Sequence, residues 1–185
     1  VSGDSLRSPK YFDTIIGSSI SSLVDSKELS DIKNYRFING DPLSGSKVEY
    51  SDFLGFYNNT LSVISEGNQF RMLGWLPFMY NNIPSFSRTS LSWLLGGEKK
   101  VNTNLNGEER AIVVTGEMEK YFPMDIFPMQ LINSCMRGDV EKMESLGIYE
   151  VIPEDFGLVD FSCTSKIEAQ EIVKSGIEIM LKEVG

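Results

Sequence analysis

Ser165-Lys166-Ile167-Glu168-Ala169-Gln170-Glu171-Ile172-Val173-Lys174-Ser175-Gly176-Ile177-Glu178-Ile179-Met180-Leu181-Lys182-Glu183-Val184 is the longest periodic stretch of the chain. Ser165 and Glu168 stand at capping-box spacing, in which a serine hydroxyl and a glutamate three residues on satisfy each other's free backbone donors. Ala169, Ile172, Val173, Ile177, Met180, Leu181 and Val184 then recur at helical spacing, so the pattern predicts a helix with one apolar stripe against a core. No polar residue converges on the stripe, which reads as core and not as a cofactor box.

Working back from it, the preceding residues are also helical in pattern. Asp125 is placed to cap a helix with Pro128 in its first turn, running through Leu131, Ile132 and Cys135 to Gly138. Asp139 opens another, with Val140, Met143 and Leu146 on one face and Gly147 as its stop, and Pro153 begins a brief helical turn. Before these, Asn106-Gly107 is the pair favoured in tight hairpin turns, and alternation at Val101, Thr103 and Leu105 and again over 111–114 predicts a β-hairpin near 101–114. A short helix capped by Thr89 or Ser90 is expected through Leu91, Leu94 and Leu95, ending at Gly96-Gly97.

The first third has the other character. Residues 11–16, 35–38, 60–64 and 70–76 are rich in β-branched and aromatic residues and read as strands. Ser18 caps a short helix carrying Ile20, Leu23 and Val24, Asn39-Gly40-Asp41-Pro42 with Ser44-Gly45 forms a dense turn, and Glu66-Gly67-Asn68 suits a hairpin. The expected fold is therefore α+β, with a small sheet carrying one helix ahead of a mostly α-helical region.

Between these regions residues 72–87 carry no charge and hold Trp75, Phe78, Tyr80 and Phe86, with Pro77 and Pro84 interrupting regular structure. Aromatic residues of this density either seal two subdomains together or form a docking surface for a partner. These four are the partner-interface candidates.

Composition excludes most other functions. Of 185 residues 41% are apolar and 23% charged, which suits a globular chain. The formal charge of −9 and the lack of any Lys/Arg-rich run argue against nucleic acid, whose phosphates require cationic side chains. Absence of histidine removes Ser-His-Asp and Cys-His nucleophile pairs and the usual zinc shells. Cys135 and Cys163 are too few and too far apart for a disulfide scaffold or a C-x-x-C motif, which fits a reducing cytoplasmic setting. No run approaches the roughly 20 apolar residues of a membrane span, so a soluble chain without a transmembrane segment is expected. Val1 without an initiator Met reads as the start of an excised piece. The Gly40 to Gly45 turn is neither G-x-G-x-x-G nor a lysine-bearing P-loop and is read as a chain reversal. An independent enzyme would need a perturbed carboxylate pair in a cleft, for example among Glu117, Glu119 and Asp125.

Several ordered segments carry a family resemblance. Tyr121-Phe122-Pro123-Met124-Asp125-Ile126-Phe127-Pro128, Arg137-Gly138-Asp139, Glu144-Ser145-Leu146-Gly147, Pro153-Glu154-Asp155-Phe156-Gly157-Leu158 and Cys163-Thr164-Ser165-Lys166-Ile167-Glu168 follow one another at characteristic spacing. Upstream stand Ile16-Gly17-Ser18-Ser19-Ile20, Leu23-Val24, Ile38-Asn39-Gly40-Asp41-Pro42-Leu43-Ser44-Gly45 and Phe86-Ser87-Arg88-Thr89. In this order they resemble the C-terminal region of the NqrA family, the A-subunits of the sodium-translocating NADH:quinone oxidoreductases, over nearly the whole chain.

That resemblance implies a β-grasp-like domain of the kind called SLBB over residues 1–76 and a mostly helical C-terminal domain over 77–185. It implies part of a translocase that couples electron transfer from NADH to ubiquinone to sodium export in a respiratory chain. This portion would be peripheral on the cytoplasmic side of the bacterial inner membrane. Its partners would be the other subunits of the complex, with direct contact to quinone left open. The similar flavin-carrying subunit of respiratory complex I holds an iron–sulfur cluster on four thiolates, whereas this chain has two cysteines. It is expected to be redox-silent, with no catalytic residue, no cofactor-binding residue and no metal ligand, and with a role in assembly or in contact with quinone-handling subunits. Val159 stands where relatives often carry a second cysteine near Cys163. The competing expectation is a free-standing soluble module binding a small ligand in its β-grasp loops.

Overall fold

The computed structural model describes residues 1–6, 8–25, 29–67, 84, 93–94, 99–113 and 116–184. They divide into two compact units, Val1–Asn106 and Gly107–Gly185. A boundary after residue 76, the strand expected at 70–76 and its turn at Asn68, and all of the helix expected at 89–97 except Trp93 and Leu94 lie outside the described residues.

The first unit is built on a three-stranded antiparallel sheet in the order β2-β1-β3, with β1 Tyr35–Asn39, β2 Ser46–Val48 and β3 Leu61–Ser65. Strand β1 lies in the centre and pairs Phe37 with Val48 on one side and with Val63 on the other. Phe37, Leu61 and Val63 bury one face against Ile20, Leu23, Val24 and Leu29. Ile20 and Leu23 come from helix α1, Ile20–Leu23. The helix is short, and flanking backbone bonds hold it in place, Ile20 N–H to Asp52 O and Leu54 N–H to Ser18 O, each 3.0 Å. Tyr50 packs its ring on Phe37 at 5.5 Å and donates its hydroxyl to Val24 O.

The chain start occupies the outer edge of β3, with Ser2 N–H donating to Leu61 O and Val63 N–H to Ser2 O. Gly3 makes that approach possible, because a Cβ there would fall 1.9 Å from Val63 O and its φ is +134°. This contact corrects the strand expected at 11–16. Those residues form no strand, and Tyr11, Ile15 and Ile16 are exposed. Strand propensity reflects packing context more than intrinsic backbone preference, and the β3 edge is already bridged at Ser62 by Ser2.

The hairpin expected near 101–114 does not form among residues 101–113. Its two arms bond elsewhere. Thr103 N–H donates to Ser65 O at the end of β3, while Arg110 N–H donates to Ser165 O, so the Asn106-Gly107 turn separates the two units instead of pairing strands. Asn106 keeps the left-handed conformation the turn signal implies, at φ 52°.

The second unit is helical: α2 Met118–Tyr121, α3 Pro128–Arg137, α4 Val140–Ser145, α5 Gly157–Ser162 and α6 Ala169–Val184, with 3₁₀ turns at Ile148–Glu150 and Pro153–Phe156. Leu131, Ile132, Met143, Phe156, Val159 and Val173 are fully buried at its centre, and Phe122 stacks at a tilt on Phe156 with ring centres 4.7 Å apart. Helix α3 starts from Phe127 without a side-chain cap, and Asp125 is exposed. Pro128 at the first helical position supplies the helical φ and has no N–H to satisfy. Gly138 is left-handed at the other end, Asp139 N–H wraps back to Ser134 O, and the Asp139 carboxylate then accepts from Lys142 N–H to begin α4.

Helix α6 departs from its sequence signature at its start. Lys166 is left-handed, at φ 54°, so the helix cannot run continuously from Ser165 and begins at Ala169. Ser165 donates its hydroxyl to Ala111 O, and the cap comes from another helix: the Asp160 carboxylate on α5 accepts from Ala169 N–H at 2.5 Å, Gln170 N–H at 3.4 Å and the Gln170 amide at 2.9 Å. Along α6 the buried positions are Ala169, Val173, Gly176 and Met180, a narrower stripe than the apolar residues alone imply. Leu181 is 68% exposed.

Met180→Ala is therefore expected to cost about 2–5 kcal/mol, and Leu181→Ala no more than about 0.5 kcal/mol. Chemical denaturation of both variants tests the assignment, and equal losses would contradict it.

The ion pair of the first unit has a pH signature. Arg36 on β1 donates through Nε and Nη2 to Glu66 at 3.0 and 2.5 Å, and Thr103 adds a third bond to the same carboxylate. The Arg36 hydrogen bond holds the Glu66 carboxyl below its ordinary range. A depressed folded value means the contribution is present above the unfolded value, about 4.3 for glutamate, and is lost as the pH falls through the folded one. Glu66→Gln should lower stability at pH 7, and that gap should close progressively below pH about 4. A gap of constant size from pH 7 to pH 3 would show that the carboxylate charge is not what stabilises the pair.

Candidate functional surface

The turn after β1 is organised by Asp41. Its carboxylate accepts from Leu43 N–H at 2.8 Å, Ser44 N–H at 3.0 Å and the Ser44 hydroxyl at 2.5 Å. The Ser44 hydroxyl in particular keeps the Asp41 carboxyl below its usual value. The loop reverses the chain, with Gly45 N–H donating to Asp41 O, and an anion there would meet the Asp41 negative charge. Next to it Asn39 is buried, and its side-chain oxygen accepts from Gly55 N–H at 3.3 Å, tying the turn to the loop that joins β2 to β3.

That loop carries three exposed aromatics: Phe53 at 65%, Phe56 at 70% and Tyr57 at 94% exposure. Phe56 and Tyr57 meet edge to face with ring centres 5.0 Å apart, a favourable geometry for aromatic pairs. Sequence reasoning passed over them because a loop has no hydrophobic period. The available signal was three aromatics within five residues, beside the turn formers Gly55, Asn58 and Asn59. Trp75, Phe78, Tyr80 and Phe86, the interface candidates from sequence, lie outside the described residues.

In the second unit the reactive side chains are turned inward. Cys135 and Cys163 are both buried and form no disulfide. Burial pushes the Cys135 thiol up to about 11, so at neutral pH it is protonated and a poor nucleophile or metal ligand. Val159 is fully buried and packs in the central cluster. Burial raises the Asp160 carboxyl despite the bonds from Gln170 and Ala169, and its oxygens are engaged in the α6 cap. Glu119 and Asp125 are exposed and Glu117 is half-buried within 3.5 Å of the Thr164 hydroxyl, so these three do not line a shielded cleft. Among the described residues no group of three or more His, Cys, Asp or Glu side chains is arranged to hold a metal ion.

Residues 1–50 match the family described as the NQRA C-terminal domain, NQRA_SLBB. Across 98% of its length the chain is 34% identical to the A-subunit of the Na(+)-translocating NADH-quinone reductase of Neisseria meningitidis serogroup C, of which it covers 40%. The corresponding protein of Pasteurella multocida is 34% identical over 99% of the chain and 41% of its own length. That of Haemophilus influenzae strain PittGG is 35% identical over 99% of the chain and 40% of its own length. The chain thus spans about two fifths of the length of these relatives. The family match at residues 1–50 and the identity sustained across almost every residue make this chain a homologue of the C-terminal part of NqrA, the A-subunit of the Na(+)-translocating NADH-quinone reductase.

Proposed function

We propose that this chain is a non-catalytic portion of the NqrA protein in a sodium-pumping NADH:ubiquinone reductase, serving assembly of the complex or contact with the subunits that handle quinone. The observation that carries the reading is the identity of 34% sustained over 98% of the chain. It is supported by the chemistry of the described residues, whose best-placed carboxylates, Asp41, Glu66 and Asp160, are bonded to the chain's own backbone and side chains. Peripheral attachment at the cytoplasmic face of the membrane accompanies this reading. No helix among the described residues is long and apolar enough to cross a bilayer, so association would come through partner subunits. In this role the portion holds no cofactor or metal of its own.

The docking surface proposed is part of the uncharged segment 72–87, on its sequence alone. Each aromatic side chain buried by a partner contributes roughly 1.5–3 kcal/mol, and an introduced carboxylate at the centre of an interface would be desolvated without a partner. Phe78→Asp and Tyr80→Asp in the full-length protein are expected to abolish recovery with the membrane subunits while leaving the melting temperature unchanged. Loss of melting temperature in step with loss of assembly would identify the segment as ordinary core. Unchanged assembly would remove it from the interface.

A further inference from the structure

We draw no further inference here: the strongest candidate, the exposed aromatic patch of Phe53, Phe56 and Tyr57 on the loop between β2 and β3 of the first unit, carries nothing because nothing in the structure shows what covers it.

Discussion

The helical unit depends on how closely α6 lies on α3 and α4 at Gly176. A Cβ at that position would stand 2.5 Å from Cys135 Sγ, closer than real Cβ atoms come, and 3.2 Å from Met143 Sδ, tighter than most Cβ contacts. Glycine in a helix interior costs about 1 kcal/mol relative to alanine, yet here it lets the helix come close enough for Val173 and Met180 to reach the cluster formed by Leu131, Ile132 and Met143. Cys135 has its thiol in that contact, which explains both its burial and its raised pKa. At the start of the same helix, Asp160 on α5 takes up the first free N–H groups. Packing at one residue thus determines the chemistry of another: a thiol wedged against a helix backbone is a packing element.

A parallel constraint runs through the sheet unit. Buried or turning backbone needs partners for its N–H and C=O groups, and in this chain the polar side chains supply them. Asp41 closes the turn after β1, Asn39 holds Gly55, Asp52 accepts from Glu49 N–H, and Ser62 donates to Gly40 O. The Arg36–Glu66–Thr103 group joins β1, the end of β3 and the segment approaching the unit boundary. Among the described residues no buried side-chain nitrogen or oxygen lacks a partner. Active sites usually contain groups with perturbed acidity facing a cleft. The perturbed carboxylates here are taken up by the chain's own donors: Asp41 by Leu43 and Ser44, Glu66 by the Arg36 and Thr103 side chains, and Asp160 by Ala169 and Gln170.

Which parts were legible in the sequence follows from how local their causes are. β1, β3, the Asn39 to Gly45 turn, α4 from Asp139, and the Gly138 stop are set by neighbours within a few residues, and the structure places them where those signals stand. The failures have distant causes. Residues 11–16 have strand composition, but Ser2 holds the β3 edge. The Asn106-Gly107 turn is real, but its arms find Ser65 and Ser165 in different units instead of each other. The Ser165/Glu168 pattern has the spacing of a capping box, but the donor groups of α6 are satisfied by Asp160, nine residues before Ala169. Leu181 belongs to the apolar composition of α6 and not to its contact line, which a glycine and an alanine make narrow. Of the candidate surface, the loop aromatics Phe53, Phe56 and Tyr57 left no periodic trace, because their exposure comes from a loop held by Asn39 and not from an amphipathic element.

In the proposed role this portion of the protein contributes folded surface and not redox or metal chemistry. Structural metal centres and iron–sulfur clusters need several thiolate or imidazole ligands at one point; this sequence has no histidine and two cysteines, both buried. Elemental analysis of the purified chain by mass spectrometry tests that role most directly. Iron and zinc far below one atom per chain are the expected result. Stoichiometric iron or zinc that survives dialysis would contradict it.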